Sequence, residues 1–283
     1  MAIIIVNTTF RDFTGGINDK MQINFIKSLK RQTMQDFMLV VTIFGERNVE
    51  DTIRSMLGDK CTFIYDEMEG DYRFSLSKTF MNGVDYGLRN HIDILLDCSS
   101  DIILQRNFLE VVAKRCGKYE AGISHPNLFM EKTKTGEPVF KCGKISKGID
   151  ARYFSLDIFK NKHVYNLMKK FPSYNYGAGI EKQMCCIGIK YAKRRSNIFM
   201  ESKVLKVEND RGGASGKKNS FMREGEMRNT PTVVRFMKSE GLSNDYMDLE
   251  RINESYIPTK GYLKYKLLFA GEILRYKTGL KED

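Results

Sequence analysis

The chain has 283 residues, of which 42% are hydrophobic and 29% are charged. This composition is ordinary for a globular protein and excludes disorder along the whole chain. Lysine and arginine number 46 against 35 acidic residues, and the resulting net charge of +11 predicts an anionic partner. That partner could be nucleic acid, a phosphorylated small molecule or an anionic membrane.

The length of the apolar runs and the positions of the cysteines and histidines indicate further what class of protein this is. No apolar run reaches the roughly 18 residues of a membrane-spanning helix, and residues 1–6 are too short for a secretory signal. The six cysteines include no CxxC pair and the three histidines are widely spaced. These features argue against a disulfide framework and a multi-histidine zinc site. We therefore expect a cytoplasmic protein with reduced thiols.

The first hundred residues alternate apolar runs with amphipathic stretches. They predict strands and helices in turn, with a polar loop after the first strand. This order predicts a parallel sheet with right-handed crossovers, whose ligands bind beyond the carboxyl ends of the strands. The predicted strands are 2–6, 37–43, 61–65 and 92–96, the helices are 20–31, 49–57 and 76–89, and the loop is 8–16.

Beyond residue 101 the pattern is looser. A basic, glycine-rich loop at 211–218 precedes a mostly helical remainder with an apolar, basic tail at 262–280. The other predicted elements are a helix at 107–115, strands at 121–124 and 151–156, a hairpin or excursion at 131–148, a helix at 181–193 and an extended region at 196–207.

The segment DILLDCSSD, which contains the fourth predicted strand, carries the main candidate site. If the chain stays extended here, Asp97, Ser99 and Asp101 project to one side. Two carboxylates and a hydroxyl at a strand's end can hold Mg²⁺ or Mn²⁺, which prefer oxygen ligands. Alternatively, Asp97 and Asp101 only start the next turn and cap the following helix. Their position at the end of the fourth strand favours the ligand site.

This order of elements, together with DILLDCSSD, resembles the nucleotide-sugar glycosyltransferases of the GT-A fold, and most closely the family 2 type. In SLKRQTMQDFMLVVTIFGE, Ser28 and Gln32 match a Ser and a Gln that precede an apolar strand in that family. The resemblance implies an α/β fold of GT-A type (Rossmann-like), with a mostly parallel central sheet flanked by helices. It also implies a catalytic domain at 1–210, with a nucleotide-binding half at 1–101 and an acceptor half at 102–210, followed by a basic loop and helical C-terminal extension at 211–283.

DILLDCSSD lies where the family has its Asp-x-Asp metal and nucleotide motif. The resemblance therefore implies that Asp97 contacts the nucleotide and that Ser99 occupies the usual metal-ligating position. Mg²⁺ or Mn²⁺ would be held by Asp97, Asp101 and a late ligand, for which Asp210 is the candidate with Glu208 and Asn209 as alternatives. Because Ser99 replaces the usual Asp, metal binding could instead be weak or absent.

Donor contacts are also implied at three other places. Thr8 and Thr9 fall where the family's loop wraps the nucleobase, and Glu46 falls near an acidic residue that reads the base. FGER replaces the family's Asp-Asp-Gly-Ser pattern at Glu46, which leaves the base unassigned. Lys78 is near a basic residue that contacts the diphosphate, although a solvated helix face is an equal alternative.

The general base that the resemblance implies is Glu181, in YNYGAGIEKQM. An inverting transfer needs such a base to take the proton of the acceptor hydroxyl. A carboxylate in the first turn of a helix is also favoured by the helix dipole alone. The glycines before Glu181 and its spacing from DILLDCSSD favour the catalytic interpretation.

The C-terminal part contains a candidate phosphate-binding loop and a candidate membrane-binding segment. In the loop at 211–218, Lys217 and Lys218 could close on the diphosphate, or the loop could simply be solvated. The tail at 262–280 could lie on an anionic bilayer or dock on the catalytic domain.

The sequence therefore predicts a cytoplasmic glycosyltransferase that could be peripheral at a membrane. It would move a sugar from a nucleotide sugar to a glycan or lipid-linked acceptor, as in polysaccharide biosynthesis, with inversion and metal assistance. The alternatives are a sugar-nucleotide nucleotidyltransferase and a non-enzymatic protein that binds nucleic acid or another anionic ligand. The GxGxR loop that is usual in the nucleotidyltransferases is absent from this sequence. The sequence also has no recognisable nucleic-acid-binding motif, so no nucleic-acid partner is expected.

Overall fold

A computed structural model provides the structure of the protein. It describes residues 3–10, 13, 17–45, 48–67, 75–124, 130–133, 151–171, 187–188, 190–192, 204–209, 232 and 235–242. Structural statements below concern these residues.

The first half of the chain alternates strands and helices. Each βα unit begins with an apolar strand, and the helix after it returns the chain to the start of the next strand. Its elements are β1 (Ile4–Thr9), α1 (Ile17–Lys30), β2 (Phe37–Ile43), α2 (Asn48–Leu57), β3 (Cys61–Tyr65), α3 (Leu76–Arg89) and β4 (Ile94–Cys98).

The second half has shorter elements. A short 3₁₀ helix at Leu156–Lys160 joins the strand Ala151–Ser155 to the helix Lys162–Lys169. The elements are β5 (Ile102–Leu104), α4 (Phe108–Cys116), β6 (Ala121–Ser124), β7 (Met130–Thr133), β8 (Ala151–Ser155), α5 (Lys162–Lys169) and β9 (Val204–Asn209).

Two sheets organise the described strands. The larger has the order β3-β2-β1-β4-β8-β6, and a smaller one has the order β5-β9-β7. In the larger sheet β1, β2, β3 and β4 are parallel, whereas β8 is antiparallel to both of its neighbours. Because β2 and β3 lie on one side of β1 and β4 on the other, the strand order reverses between β1 and β4. Ligands of open α/β sheets bind at such a reversal, beyond the carboxyl ends of the strands.

Both faces of the larger sheet are covered by helices. One face packs on α3 and α5, where the rings of Phe80, Phe154 and Phe159 meet edge to face with centroids 5.4 to 5.9 Å apart. The other face packs on α1, α2 and α4, with Phe25 and Phe108 fully buried. Burial on both faces explains why β2 and the first three residues of β1 and of β4 are almost continuously apolar.

Most of the predicted elements in the first half are confirmed. Strand 61–65 and helix 76–89 have the predicted bounds, and the helices predicted at 20–31 and 49–57 begin at Ile17 and Asn48. The first strand is longer than predicted, because Asn7, Thr8 and Thr9 continue the pairing with β2. Thr8 and Thr9 therefore belong to β1 and not to the loop predicted at 8–16.

Three further observations concern the cysteines, the length of the helices and the C-terminal extension. Cys61, Cys98 and Cys116 are buried and form no disulfide bond with one another. Within the described ranges, no helix is long and apolar enough to cross a membrane. The division at residue 210 and the helical extension at 211–283 stay predictions, since almost all of that extension lies outside the described residues.

Candidate functional site

Asn7 and Asp97 occupy the point at which the strand order reverses. They are paired in register across β1 and β4, and the Asn7 side chain is fully buried. Its Nδ2 donates to Asp97 Oδ1 at 2.6 Å and to the backbone oxygen of Thr79 on α3 at 3.0 Å. Asn7 thereby fixes the Asp97 carboxylate relative to both the sheet and α3.

Arg152 forms a buried ion pair with Asp97 from the other side. It is the register partner of Asp97 on β8, and its Nη2 contacts Asp97 Oδ2. Each of the two side chains is only 5% exposed. Burial raises the pKa of the Asp97 carboxyl above its ordinary value, whereas the Arg152 charge and the Asn7 hydrogen bond act in the opposite direction.

The chain turns directly after β4. Residues 99–101 lie between β4 and β5, and β5 belongs to the smaller sheet. The extended chain that would align Asp97, Ser99 and Asp101 is therefore wrong, because the structure has a turn after β4. Ser99 and Asp101 are both half-buried on this turn, and Asp97 is buried in the strand before it.

Ser28 and Gln32, at the end of α1, secure the segment that follows this turn. Ser28 Oγ accepts a hydrogen bond from the Leu104 backbone N–H at 3.1 Å. Gln32 Nε2 donates to the Gln105 backbone oxygen at 2.8 Å, and its Oε1 accepts from the Leu109 N–H at 3.0 Å. These two side chains, which carried part of the family resemblance, thus connect α1 to β5 and to the start of α4.

A second polar cluster lies beyond β2 and β3. Asp66 directly follows β3, and its two carboxylate oxygens accept from Lys78 Nζ at 3.2 Å and from Asn82 Nδ2 at 3.1 Å. Asn82 Nδ2 also lies 3.3 Å from Thr42 Oγ1, and Lys78 Nζ donates to the Glu67 backbone oxygen at 2.7 Å. Since α3 begins at this edge, Lys78 lies where a ligand beyond the strands could reach it.

Thr8 and Thr9 end β1 at the same edge. Thr9 Oγ1 donates to the Thr42 backbone oxygen at 2.8 Å, and Thr8 Oγ1 lies 3.4 Å from the Thr9 backbone oxygen. Thr8 is buried, whereas Thr9 is half-buried. Of the two, Thr9 is therefore better placed to meet a ligand.

Most of the donor residues predicted from the sequence lie along this edge. Thr8, Thr9, Lys78, Asp97 and Ser99 all stand at or just beyond the carboxyl ends of parallel strands or at the start of α3. The other predicted site residues are Asp101, which lies on the turn after β4, and five that lie outside the described residues: Glu46, Glu181, Asp210, Lys217 and Lys218. The roles of all these residues stay predictions.

Asp97 and Ser99 are poorly suited to hold a divalent metal. Both oxygens of Asp97 already have partners in Asn7 and Arg152, and Ser99 supplies a hydroxyl where the motif usually has a carboxylate. The described part of the chain contains no group of three or more His, Cys, Asp or Glu residues that could hold a metal ion. Metal ligation by Asp97, Asp101 and Asp210 stays a prediction, since Asp210 is not among these residues.

Four residues of the site were not predicted from the sequence. Asp66 carried a usable signal, because it is an acidic residue directly after a parallel strand. Asn7 and Arg152 each interrupt a strand of largely apolar residues, which indicates a buried polar partner without naming it. Asn82 lies on a helix and has no comparable signal.

Comparison with known proteins bears on the fold. No protein-family model and no curated protein matches the sequence. Among solved structures, S. aureus TarS 1-349 in complex with UDP-GlcNAc is similar, with a TM-score of 0.55 and 12% identity over 93% of this chain and 75% of that chain. The same protein in complex with UDP has a TM-score of 0.52 and 11% identity over 93% and 74%. The predicted fold is thus confirmed: the chain has a mixed α/β fold of GT-A type, with a central six-stranded sheet between helices.

Proposed function

We propose that the protein is a glycosyltransferase that moves a sugar from a nucleoside-diphosphate sugar to a glycan or lipid-linked acceptor. The observation that carries this proposal is the row of polar side chains at the carboxyl edge of the parallel strands. Asn7 and Asp97 stand at the strand-order reversal, with Asp66 and Lys78 beyond the neighbouring strands. In a GT-A-type fold, this edge is where a nucleotide ligand is expected.

Uridine is the base that we propose for the donor. Its support is that S. aureus TarS, which shares the fold, has been solved with UDP and with UDP-GlcNAc. Near this edge, Asp66 and Asn82 present a carboxylate and an amide suited to the hydrogen-bonding groups of a base or ribose.

An inverting displacement is the proposed chemistry, with Glu181 as the general base. Glu181 accepts the proton of the acceptor hydroxyl while that oxygen attacks the anomeric carbon of the donor sugar. The bond from the anomeric carbon to the diphosphate oxygen breaks, and its electron pair leaves with the nucleoside diphosphate. Lys78, with Lys217 and Lys218 of the basic loop, is proposed to offset the charge of that leaving group.

Localisation and acceptor access are a further part of the proposal. We propose that the enzyme acts in the cytoplasm and that the aromatic and basic tail at 262–280 lets it lie against the inner face of a membrane. A lipid-linked acceptor would be reached from there. A nucleic-acid partner is not part of this proposal.

A thermal-shift screen of UDP, GDP, CDP and CMP sugars tests the proposed function. A ligand that binds the folded state raises the melting temperature by mass action, so we expect UDP sugars to raise it most. Inorganic phosphate is the control for simple anion binding. If none of the nucleotides shifts the melting temperature while random oligonucleotides do so in a salt-sensitive manner, the glycosyltransferase proposal is wrong.

A further inference from the structure

Three side chains form one buried row across the larger sheet. Asn7 of β1, Asp97 of β4 and Arg152 of β8 are register partners in turn. Register partners in a sheet project their side chains to the same face. The row therefore places an amide and a guanidinium on opposite sides of a single carboxylate.

This arrangement already balances the charge of Asp97. Asn7 donates to Oδ1 and the Arg152 guanidinium contacts Oδ2. The Asp97 and Arg152 side chains are each about one-twentieth exposed. Breaking a buried ion pair by removing one partner is strongly destabilising, because it leaves a buried charge uncompensated. A divalent cation at Asp97 would have to displace the guanidinium or approach a second positive charge at short range.

The next position in the motif weakens the case for a metal further. A hard divalent cation needs several oxygen ligands, and carboxylates supply most of its protein ligands. Ser99 supplies only a hydroxyl at the position that usually ligates the metal. Asp97 can nevertheless serve a nucleotide, since each carboxylate oxygen has two lone pairs and could accept a second hydrogen bond from a ligand hydroxyl.

We propose that Arg152 takes the charge-balancing place that a divalent metal would hold at Asp97, so that a nucleoside diphosphate binds at this edge without metal. This inference rests on the proposed function, because it concerns the same donor site. Arg152 is a positioning residue: it holds the Asp97 carboxylate in the sheet, and Asp97 faces the ligand.

The wild-type protein provides the first test. Protein stripped with EDTA is titrated with UDP by calorimetry, in EDTA buffer and again with excess Mn²⁺. We expect dissociation constants within about threefold of each other, which corresponds to less than about 0.7 kcal/mol. UDP binding that appears only with Mn²⁺ would overturn the inference and leave the proposed function intact. Absence of UDP binding in both buffers would overturn the proposed uridine donor and the inference together.

Substitution of Arg152 provides the second test. Arg152→Met removes the charge while keeping much of the side-chain length, so we expect weaker UDP binding in EDTA that Mn²⁺ restores in part. Arg54→Met, which breaks an exposed ion pair with Glu50, is the matched control and should bind UDP as the wild type does. An Arg152→Met protein that binds UDP normally in EDTA would contradict the role of Arg152.

A conservative variant keeps the test decisive if Arg152→Met does not fold. Arg152→Lys keeps a positive charge beside Asp97 but loses the planar fork of the guanidinium. We expect it to fold and to bind UDP in EDTA. A requirement of this variant for Mn²⁺ would contradict the inference, because charge balance at Asp97 would then be insufficient for metal-free binding.

Discussion

Asn7 Nδ2 lies 2.6 Å from Asp97 Oδ1, across the two strands between which the order of the sheet reverses. The same nitrogen reaches the Thr79 backbone oxygen at 3.0 Å. One buried amide therefore ties the two strands and α3 together at the edge where we place the donor. Both the stability of the fold and the position of Asp97 depend on it.

Replacing Asn7 by Ala should destabilise the protein substantially. The change leaves buried acceptors on Asp97 and Thr79 without their donor, which costs about 1–3 kcal/mol in the free energy of unfolding. Urea denaturation measures this loss. Asn90→Ala is the control, because Asn90 makes an exposed hydrogen bond to the Tyr86 backbone oxygen at 2.8 Å and should lose less than about 0.5 kcal/mol. Equal losses in the two variants would show that the Asn7 contacts are not a main support of the fold.

Gly83→Ala should destabilise the protein although it lies in a helix. A Cβ at Gly83 would lie 2.6 Å from Asn7 Cγ and 2.9 Å from Leu95 Cδ1. The ordinary gain of about 0.5–1 kcal/mol from Gly to Ala in a helix is then outweighed by an overpacking cost of about 1–3 kcal/mol.

The control for Gly83 is Gly117, which ends α4. Its Cβ would meet nothing closer than the Lys114 backbone oxygen at 3.5 Å, so Gly117→Ala should be neutral or slightly stabilising. Thermal denaturation of both variants tests the comparison. A Gly83→Ala protein as stable as Gly117→Ala would mean that α3 can move away from β1 at little cost.

Gln32→Ala should loosen the segment that follows the turn at 99–101. Gln32 is buried, and its amide bonds to the backbone of Ser28, Gln105 and Leu109. Loss of these bonds should lower the free energy of unfolding by about 1–3 kcal/mol. The control is Asn90→Ala, since Asn90 is exposed and its amide donates to the Tyr86 backbone oxygen at 2.8 Å, far from this segment. We expect its loss to be smaller, and the opposite order in urea denaturation would contradict the account of Gln32.

Glu181→Ala should separate catalysis from donor binding. If Glu181 is the general base, turnover should fall by about 10²–10⁴-fold, while the dissociation constant for UDP stays that of the wild type. Asp51→Ala, which removes an exposed carboxylate on α2, controls for a general loss of negative charge. Weakened UDP binding in Glu181→Ala would argue that Glu181 belongs to the donor site instead.

The elements of the first half were predictable because their signals are local. The bounds of β3 and α3 follow from a short apolar run and from Ser75, whose hydroxyl caps α3 by accepting from the Lys78 N–H. The site edge was predictable for a similar reason, since Asp97 ends an apolar strand in a βα repeat. Such patterns are complete within one segment of sequence.

The chemistry around Asp97 was not predictable in the same way. Its partner Arg152 comes from β8, which is antiparallel to β4 and follows it much later in the chain. No local pattern links the two residues, and only the sheet register brings them together. The turn at residues 99–101 was likewise missed, because the expectation of an extended chain ignored the change to the smaller sheet.

Binding of UDP at the carboxyl edge is the central claim, and calorimetric titration of two matched variants tests it most directly. Ser99→Tyr places a ring on the half-buried turn after β4, whereas Asp36→Tyr places the same ring on an exposed position before β2, at the opposite edge of the sheet. We expect the dissociation constant for UDP to rise at least about tenfold in Ser99→Tyr, or about 1.4 kcal/mol, and to be unchanged in Asp36→Tyr. Unchanged UDP binding in Ser99→Tyr, with both variants folded, would contradict the placement of the donor at this edge.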